Sequence, residues 1–276
     1  MPPPVLPEPA TESGRAGLAA LIARPRTSLI ALDFDGTLAP IVDDPADARA
    51  GPPTTAVLRR LARVAGTVAI ITGRPAADAA EFAGLTTGSD VIVLGHYGAQ
   101  RWERGELTSP PPPAGLATAR AELPGLLAAE GAAAGTFVEG KGYAVAVHTR
   151  RTASPQAELD RLTGPLAALA DRTGLAMEPG RFVIELRPPG SDKGGALRGL
   201  VAERSAEAVM FCGDDVGDRP AFRAVRELRA DGIPGLAVCS GSEEVPELAA
   251  EADLVVAGPP GVTALLAGLA DAFGGD

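Results

Sequence analysis

The sequence lacks several features that mark common functional classes. Cysteine is scarce, since Cys212 and Cys239 are the only two in 276 residues. Both lie in apolar segments, which is typical of core cysteines in a reducing cytoplasm and not of a disulfide framework. No apolar stretch is long enough to span a bilayer. The residues after Met1 also lack the basic and apolar regions of a signal peptide, so we expect a cytoplasmic protein.

Positively charged residues are also few relative to negatively charged ones. The chain has 25 lysines and arginines against 35 aspartates and glutamates, a formal net charge of −10. This excess repels polyanions, so we expect neither nucleic acid nor a membrane as a partner. An anionic substrate would be repelled too, unless its site is locally basic or holds a metal. The hydrophobic fraction of 46% is ample for a packed core, and the length fits one large or two modest domains. We expect a monomer.

The most informative segment is Asp33-Phe34-Asp35-Gly36-Thr37, which follows an apolar run typical of a buried strand. Two carboxylates stand two residues apart at the strand's end, and the glycine permits a sharp turn. Such carboxylates repel each other unless a cation neutralises them, and Mg²⁺ prefers hard oxygen ligands. The segment therefore predicts a Mg²⁺-assisted phosphate site in which one aspartate is free to act as a nucleophile. For an isolated Asp-x-Asp, a helix cap or an Asx turn is the favoured interpretation, and the rest of the chain reverses that preference.

Three further groups of polar residues lie at the predicted ends of strands or at the start of a helix. They are Thr72, Lys193, and the trio Asp214, Asp215 and Asp218. A threonine hydroxyl, a lysine and a helix N-terminus favour a phosphate, whereas the carboxylates favour a cation. Each group alone could be a turn, a solvated charge or a loop. Four such groups in this order indicate one site.

The order of the elements predicts an α/β fold with a doubly wound, mostly parallel, Rossmann-like core. After the proline run 110–113 the pattern becomes helix–strand–strand–helix–strand–strand, which predicts an inserted α+β domain. We expect residues 1–14, rich in proline and glutamate, to be a disordered tail. The core is expected to comprise residues 15–101 and 190–276, and the insertion residues 102–189.

The last hairpin of the insertion is predicted to turn at Pro179-Gly180. Residues two apart in a strand share a face. Phe182, Ile184 and Leu186 should therefore pack on the helices of the inserted domain. Arg181 and Glu185 should lie on the opposite, open face.

The motif set resembles the phosphatase branch of the haloacid dehalogenase (HAD) superfamily. The resemblance implies a HAD core with a cap domain. It implies that Asp33 is the nucleophile that forms an aspartyl-phosphate, and that Asp35 is the general acid and later the base. Thr72 and Lys193 would hold the phosphoryl oxygens. Mg²⁺ would be bound by Asp33, by the carbonyl of Asp35 and by Asp214, with Asp215 and Asp218 in support.

A finer resemblance is to the trehalose-6-phosphate phosphatase family. It rests on Asp33–Ile41 with Pro45, on Thr72-Gly73-Arg74, on Val138–Gly142, and on Gly180-Arg181 with Glu185–Pro188. It implies Mg²⁺-dependent hydrolysis of a sugar phosphate, trehalose 6-phosphate, to trehalose and phosphate. The sugar-binding residues that it implies are Arg74, Glu139, Lys141, His148, Arg181 and Glu185.

Three segments depart from the family pattern. Gly217-Asp218-Arg219 stands where Thr-Asp-Glu is usual, His96-Tyr97-Gly98 stands where Asn-His-Gly is usual, and Arg181 replaces a common lysine. None removes a catalytic group, but each could alter recognition of the substrate. A related disaccharide or pseudo-disaccharide phosphate therefore stays an alternative. So do another substrate class, such as sucrose phosphate or a phosphoprotein, and a non-catalytic sugar-phosphate sensor, which would be expected to lose Asp33 or Asp35.

Overall fold

The computed structural model describes residues 6–42, 44–241 and 246–274. These residues form two compact units. The larger unit runs up to Ser109 and resumes at Asp192, and the smaller unit is Pro110–Ser191. Residues 102–109, which the sequence analysis placed in the insertion, belong instead to the larger unit, because they form edge strands of its sheet.

The strands are β1 (Ser28–Leu32), β2 (Thr67–Ile71), β3 (Val91–Gly95), β4 (Gln100–Glu103), β5 (Glu106–Thr108), β6 (Phe137–Gly140), β7 (Val145–His148), β8 (Ala176–Gly180), β9 (Val183–Arg187), β10 (Ala208–Gly213), β11 (Gly235–Ser240) and β12 (Leu254–Val256). The helices are α1 (Glu12–Ala23), α2 (Pro52–Val64), α3 (Ala76–Phe82), α4 (Ala114–Ala129), α5 (Pro155–Thr173), α6 (Lys193–Arg204), α7 (Arg219–Ala230), α8 (Pro246–Glu251) and α9 (Gly258–Ala272).

The sheet of the larger unit has the order β12-β11-β10-β1-β2-β3-β4-β5. Its first six strands in that order are parallel, whereas β4 pairs antiparallel with β3 and β5 pairs antiparallel with β4. The chain winds outward from β1 to β3 on one side and from β10 to β12 on the other. The strand order therefore reverses between β1 and β10, and ligands of open α/β sheets bind at the carboxyl end of such a switch point.

Helices cover both faces of this sheet, as the sequence analysis predicted for a doubly wound fold. One apolar core joins the sheet to α1, α2, α3 and α9, and the other joins it to α6, α7 and α8. Strands buried on both faces read as continuous apolar runs. The apolar runs of β1 and β10 fit this rule, because both strands are buried along their whole length.

The smaller unit has the predicted order α4-β6-β7-α5-β8-β9 and an antiparallel sheet ordered β6-β7-β9-β8. Val145, Val147, Ile184 and Leu186 turn one face of this sheet onto the two helices. The prediction of the last turn was wrong. Pro179 and Gly180 continue β8, and the turn is made by Arg181 and Phe182, whose φ of +60° is left-handed.

The predicted N-terminal tail needs a correction as well. Residues 1–5 lie outside the described part of the chain, but α1 already begins at Glu12. The hydroxyl of Thr11 accepts a hydrogen bond from the Gly14 amide at 2.9 Å, and the Ala10 amide donates to the Asp253 carbonyl at 2.7 Å. The threonine is an N-cap, a signal that the proline-rich composition obscured.

Within the described ranges, no helix combines the length and the apolar character needed to cross a bilayer.

Candidate active site

The carboxyl ends of β10, β1 and β2 bring the predicted catalytic residues to one edge of the sheet. The Asp33 amide donates to the Cys212 carbonyl at 2.8 Å, which extends the β1–β10 pairing by one residue. Asp33 and Asp214 therefore leave neighbouring strands at the switch point, and both are buried. Thr72, also buried, follows β2, and its amide donates to the Leu94 carbonyl at 3.0 Å.

Lys193 opens α6 and enters the same buried region. The Asp192 carboxylate caps this helix by accepting a hydrogen bond from the Gly195 amide at 2.7 Å. The Lys193 ammonium lies 2.7 Å from Asp33 Oδ1 and 2.7 Å from Asp218 Oδ1. A buried lysine between two carboxylates is a fixed positive charge, and a phosphoryl group at Asp33 would lie beside it.

Asp218 stabilises the positions of Lys193 and of the loop after β10. Its Oδ2 accepts hydrogen bonds from the amides of Asp214 and Asp215, at 2.9 and 3.1 Å. The Asp215 carboxylate is itself exposed and caps the short turn that contains Asp218. Asp218 thus fixes both Lys193 and the loop that carries Asp214.

The site carries more negative charge than its lysine can balance. Burial raises the pKa of Asp33 to about 7, although the neighbouring Lys193 ammonium opposes the shift. Burial, together with the repulsion of Asp218 and Asp215, raises the pKa of Asp214 to about 7. Burial also raises the pKa of Asp218. Each shift expresses the cost of holding a carboxylate away from water without a second cation.

The donor atoms fit a divalent metal. One carboxylate oxygen from each of Asp33, Asp214 and Asp218 lies within 4.8 Å of the others. Both oxygens of Asp218 are engaged, one by Lys193 and the other by the amides of Asp214 and Asp215, whereas Lys193 contacts only one oxygen of Asp33. Asp33 and Asp214 are therefore the more available carboxylates. Among the described residues, Asp214 Oδ1 and Thr37 Oγ1 are buried without a hydrogen-bond partner. Hard oxygen donors of this kind suit Mg²⁺.

Gly36 is required for this geometry. Its φ is +68°, and a Cβ at this position would lie 1.9 Å from Asp214 Oδ2. The absence of a side chain lets the loop after β1 approach the Asp214 carboxylate closely.

Asp35, the predicted general acid, is bound by Arg74. Arg74 Nε donates to Asp35 Oδ2, and an Arg74 terminal nitrogen (Nη2) donates to Asp35 Oδ1, both at 2.7 Å. The other terminal nitrogen, Nη1, donates to the Pro45 carbonyl at 2.8 Å. The family resemblance implies a sugar-binding role for Arg74, but here its guanidinium is engaged by Asp35 and by the Pro45 carbonyl.

The departure His96-Tyr97-Gly98 forms a loop after β3 that contacts the segments predicted to bind phosphate. All three residues have positive φ, of 47°, 58° and 98°. The amides of His96 and Tyr97 donate to the carbonyls of Arg74 and Thr72, at 2.9 and 3.0 Å. A Cβ on Gly98 would lie 3.0 Å from that of Ala196 in α6. The loop thus contacts both the segment that carries Thr72 and the helix that begins at Lys193.

In the smaller unit, the face of the sheet opposite its helices is charged. The register aligns Glu139, Ala146, Glu185 and Glu178 in one row across the four strands. The Lys141 ammonium lies 3.2 Å from Glu185 Oε2 and 4.0 Å from Glu139 Oε2. This face therefore offers alternating acceptors and donors, which suits the hydroxyls of a sugar.

His148 lies on the same face and is bound by Glu139, whose carboxylate is 2.8 Å from His148 Nε2. The Phe137 ring stacks on the imidazole with centroids 4.6 Å apart. Burial lowers the pKa of His148, although the Glu139 carboxylate opposes this shift. Arg181 is the outlier of the predicted set, because it lies in the β8–β9 turn and not in the row of the strands.

A comparison with protein families decides the classification. Residues 31–255 match the family described as trehalose-phosphatase. The chain belongs to the trehalose-phosphatase family. Relatives agree: the trehalose-phosphate phosphatase of Mycolicibacterium paratuberculosis is 34% identical over 239 residues, which cover 82% of this chain and 57% of that protein. The probable trehalose-phosphate phosphatase of Sinorhizobium fredii is 33% identical, covering 71% of this chain and 73% of that one.

Among solved structures, the trehalose-6-phosphate phosphatase of Aspergillus fumigatus superposes with a TM-score of 0.71 at 24% identity. The match covers 96% of this chain and 99% of that one. A haloacid dehalogenase-like hydrolase from Bacteroides thetaiotaomicron superposes with a TM-score of 0.56 at 16% identity. Both confirm the HAD fold. The chain spans a little more than half the length of the M. paratuberculosis relative.

One charged residue of this trehalose-phosphatase chain was missed by the sequence analysis. Arg187 is buried on the charged face, 2.9 Å from Glu178 and 4.0 Å from Glu185. Its spacing of two from Glu185 along β9 was the available signal, because such residues share a face.

Proposed function

We propose that this chain is a Mg²⁺-dependent phosphatase that hydrolyses trehalose 6-phosphate to trehalose and phosphate. The observation that carries the proposal is the buried Asp33 at the end of β1, with Lys193 at 2.7 Å and Asp214 in the same acidic cluster. Family membership and the names of the relatives support the choice of sugar. The retention of both Asp33 and Asp35 argues against a non-catalytic sensor.

In the first half of the proposed reaction, an Asp33 oxygen attacks the phosphorus atom and the bond from phosphorus to the sugar oxygen breaks. The Asp35 carboxyl group donates its proton to the departing oxygen, so trehalose leaves as a neutral alcohol. The phosphoryl group is now covalently bound to Asp33. Lys193 and the Thr72 hydroxyl hold its oxygens throughout.

In the second half, a water molecule attacks the phosphorus atom and the Asp35 carboxylate takes one of its protons. The bond to Asp33 breaks, phosphate leaves, and both aspartates return to their initial states. When bound by Asp33, Asp214 and the carbonyl of Asp35, Mg²⁺ would neutralise negative charge on the phosphoryl group. Asp218 keeps Lys193 oriented, and Asp215 holds the turn that contains Asp218.

We further propose that the charged face of the smaller unit binds and recognises the sugar. Glu139, Lys141, His148 and Glu185 form a connected network there, and each has hydrogen-bonding capacity beyond its present contacts. Arg181, in the adjoining turn, is a further candidate donor. Binding energy from the non-reacting sugar can be used to orient the phosphate for attack.

Phosphate release from a panel of esters tests the reaction. The panel contains trehalose 6-phosphate, other glycosyl phosphates and p-nitrophenyl phosphate, each with Mg²⁺ and with EDTA. We expect trehalose 6-phosphate to give the highest kcat/KM, and EDTA to abolish turnover. Preference for another glycosyl phosphate would be consistent with the proposed mechanism but would overturn the assignment of trehalose 6-phosphate as the substrate. Full activity after chelation would contradict the proposed dependence on Mg²⁺. No phosphate release from any ester would overturn the proposal that the chain is a phosphatase.

Alanine variants test the sugar-binding face. Glu139→Ala and Glu185→Ala should lower kcat/KM for trehalose 6-phosphate far more than for p-nitrophenyl phosphate, which has no sugar to lose contacts with. Glu122→Ala is the matched control, because Glu122 is an exposed carboxylate of the same unit that pairs with Arg172 between the helices. Equal losses on both esters would mean that Glu139 and Glu185 support the fold and not recognition.

A further inference from the structure

The Asp35 carboxylate is held by one side chain. Both of its oxygens accept hydrogen bonds from Arg74, at 2.7 Å each. Across residues 6–42, 44–241 and 246–274, the structure pairs this carboxylate with no other side chain. The next residue is Gly36, in a left-handed conformation that allows sharp turns. The direction of the Asp35 carboxylate therefore depends on Arg74.

Arg74 is itself fixed from several sides. Its guanidinium donates to the Pro45 carbonyl at 2.8 Å and lies 5.5 Å from the centroid of the Phe34 ring and 5.3 Å from that of the Phe82 ring. Its amide donates to the Thr72 hydroxyl oxygen at 3.2 Å. The side chain is only 16% exposed. An arginine fork held in this way is preorganised, unlike the flexible partners of an ordinary surface ion pair.

We propose that Arg74 is the positioning residue for proton transfer by Asp35. The inference rests on the proposed function, because it assigns a role within that reaction. When the Asp35 carboxyl group donates its proton to the departing oxygen, one carboxyl oxygen leaves the fork. The other oxygen stays bound to an Arg74 N–H, so the carboxyl group keeps its orientation. When Asp35 then accepts a proton from water, the same contact holds it again.

This role differs from sugar binding in a measurable way. A poor leaving group needs the proton of Asp35 in the transition state, whereas p-nitrophenoxide leaves readily without it. Loss of the Asp35 orientation should therefore raise the dependence of kcat/KM on the leaving group, even among small esters that carry no sugar. Loss of a sugar contact would leave that dependence unchanged.

The experiment measures kcat/KM with Mg²⁺ for phenyl phosphate, p-nitrophenyl phosphate and trehalose 6-phosphate. The variants are Arg74→Ala, Arg74→Lys and Asp35→Asn. Since a small misplacement of a catalytic group can cost up to about 10²-fold, we expect Arg74→Ala to lose at least about tenfold on phenyl phosphate and far less on p-nitrophenyl phosphate. Arg74→Lys should recover part of the loss, because lysine supplies the charge but not the fork.

Two controls make the result decisive. Arg49→Ala removes another arginine that stacks on Phe82, at 3.6 Å, without touching Asp35, and it should leave the ratio of the two esters unchanged. In the Asp35→Asn background, Arg74→Ala should cost little more, because residues that act as a unit are not additive.

Equal losses on both aryl esters, or a full additional loss in the Asp35→Asn background, would overturn the inference. A loss confined to trehalose 6-phosphate would return Arg74 to the sugar site. Each of these results leaves the proposed phosphatase intact. The proposed function fails instead if the wild-type chain releases phosphate from none of these esters.

Discussion

Substitution of Asp218 tests whether the buried charges of the site act as one unit. One Asp218 oxygen lies 2.7 Å from the Lys193 ammonium, and the other accepts two backbone hydrogen bonds from Asp214 and Asp215. Asp218→Ala removes all three contacts at once. Lys193 then retains only Asp33 as a partner in this cluster, and two backbone amides lose their acceptor, one of them buried.

The magnitude follows from two opposing effects. Removing one partner of a buried ion pair costs about 3–5 kcal/mol, and hydrogen bonds to a charged group contribute about 1.5–3 kcal/mol each. The loss is offset because Asp218 no longer repels Asp33 and Asp214. We expect a net destabilisation of about 3 kcal/mol. For a domain of this size that lowers Tm by roughly 6–12 °C.

Thermal unfolding followed by circular dichroism measures the effect, with Asp231→Ala as the control. Asp231 is an exposed aspartate at the end of α7, and its loss should leave Tm nearly unchanged. Asp218→Asn should lie between the two, because an amide oxygen can accept from only part of the same donors. If Asp218→Ala melts no lower than Asp231→Ala, the coupling of Asp218 to Lys193 does not stabilise the fold and our reasoning is wrong.

Three further predictions concern the same site. Asp33→Asn should abolish phosphate release while Tm is retained, and near-normal turnover would refute covalent catalysis. Gly36→Ala should weaken Mg²⁺ binding, measured by calorimetry, because its Cβ would displace Asp214; unchanged affinity would contradict the close approach. Mg²⁺ should raise Tm more at pH 8 than at pH 5.5, because protons compete with the metal below the raised pKa values of Asp33 and Asp214. Equal increases in Tm at the two pH values would exclude Asp33 and Asp214 as ligands.

The same pKa values define how stability depends on pH without metal. Asp33 and Asp214 bind protons more tightly in the folded chain than in the unfolded chain, where their pKa is about 3.9. The folded state is therefore favoured by these groups below about pH 4, and that advantage is lost as the pH rises through about 7.

The sequence predicted well which residues converge at the carboxyl edge of the larger sheet, because that part of the fold is specified locally. Buried parallel strands are continuous apolar runs, and Asp33, Thr72 and Asp214 each follow such a run directly. The order of elements then determines which strands are neighbours. The outer parts of the larger unit were harder to predict. β4 and β5 are short and partly exposed, and α1 is rich in small residues that show little periodicity.

Contacts between side chains distant in sequence were not predictable in this way. Nothing in Thr72-Gly73-Arg74 indicates that the guanidinium meets Asp35 and not a sugar, because that depends on how the loop after β1 folds back. The β8–β9 turn failed for a related reason. Pro179-Gly180 is a strong turn signal, but pairing with Val183 and Ile184 keeps both residues in β8, and Phe182 accepts the left-handed conformation instead.

The loop His96-Tyr97-Gly98 makes two distant positions interdependent. A Cβ on Gly73 would lie 2.8 Å from the Tyr97 phenol oxygen, so the glycine and the tyrosine fill one space together. A homologue with alanine at position 73 should therefore carry a smaller residue at position 97. Exchanging the loop for the family's usual Asn-His-Gly would remove the Tyr97 phenol and open the space beside Gly73. A side chain at position 73, by contrast, becomes compatible only once position 97 carries a smaller residue.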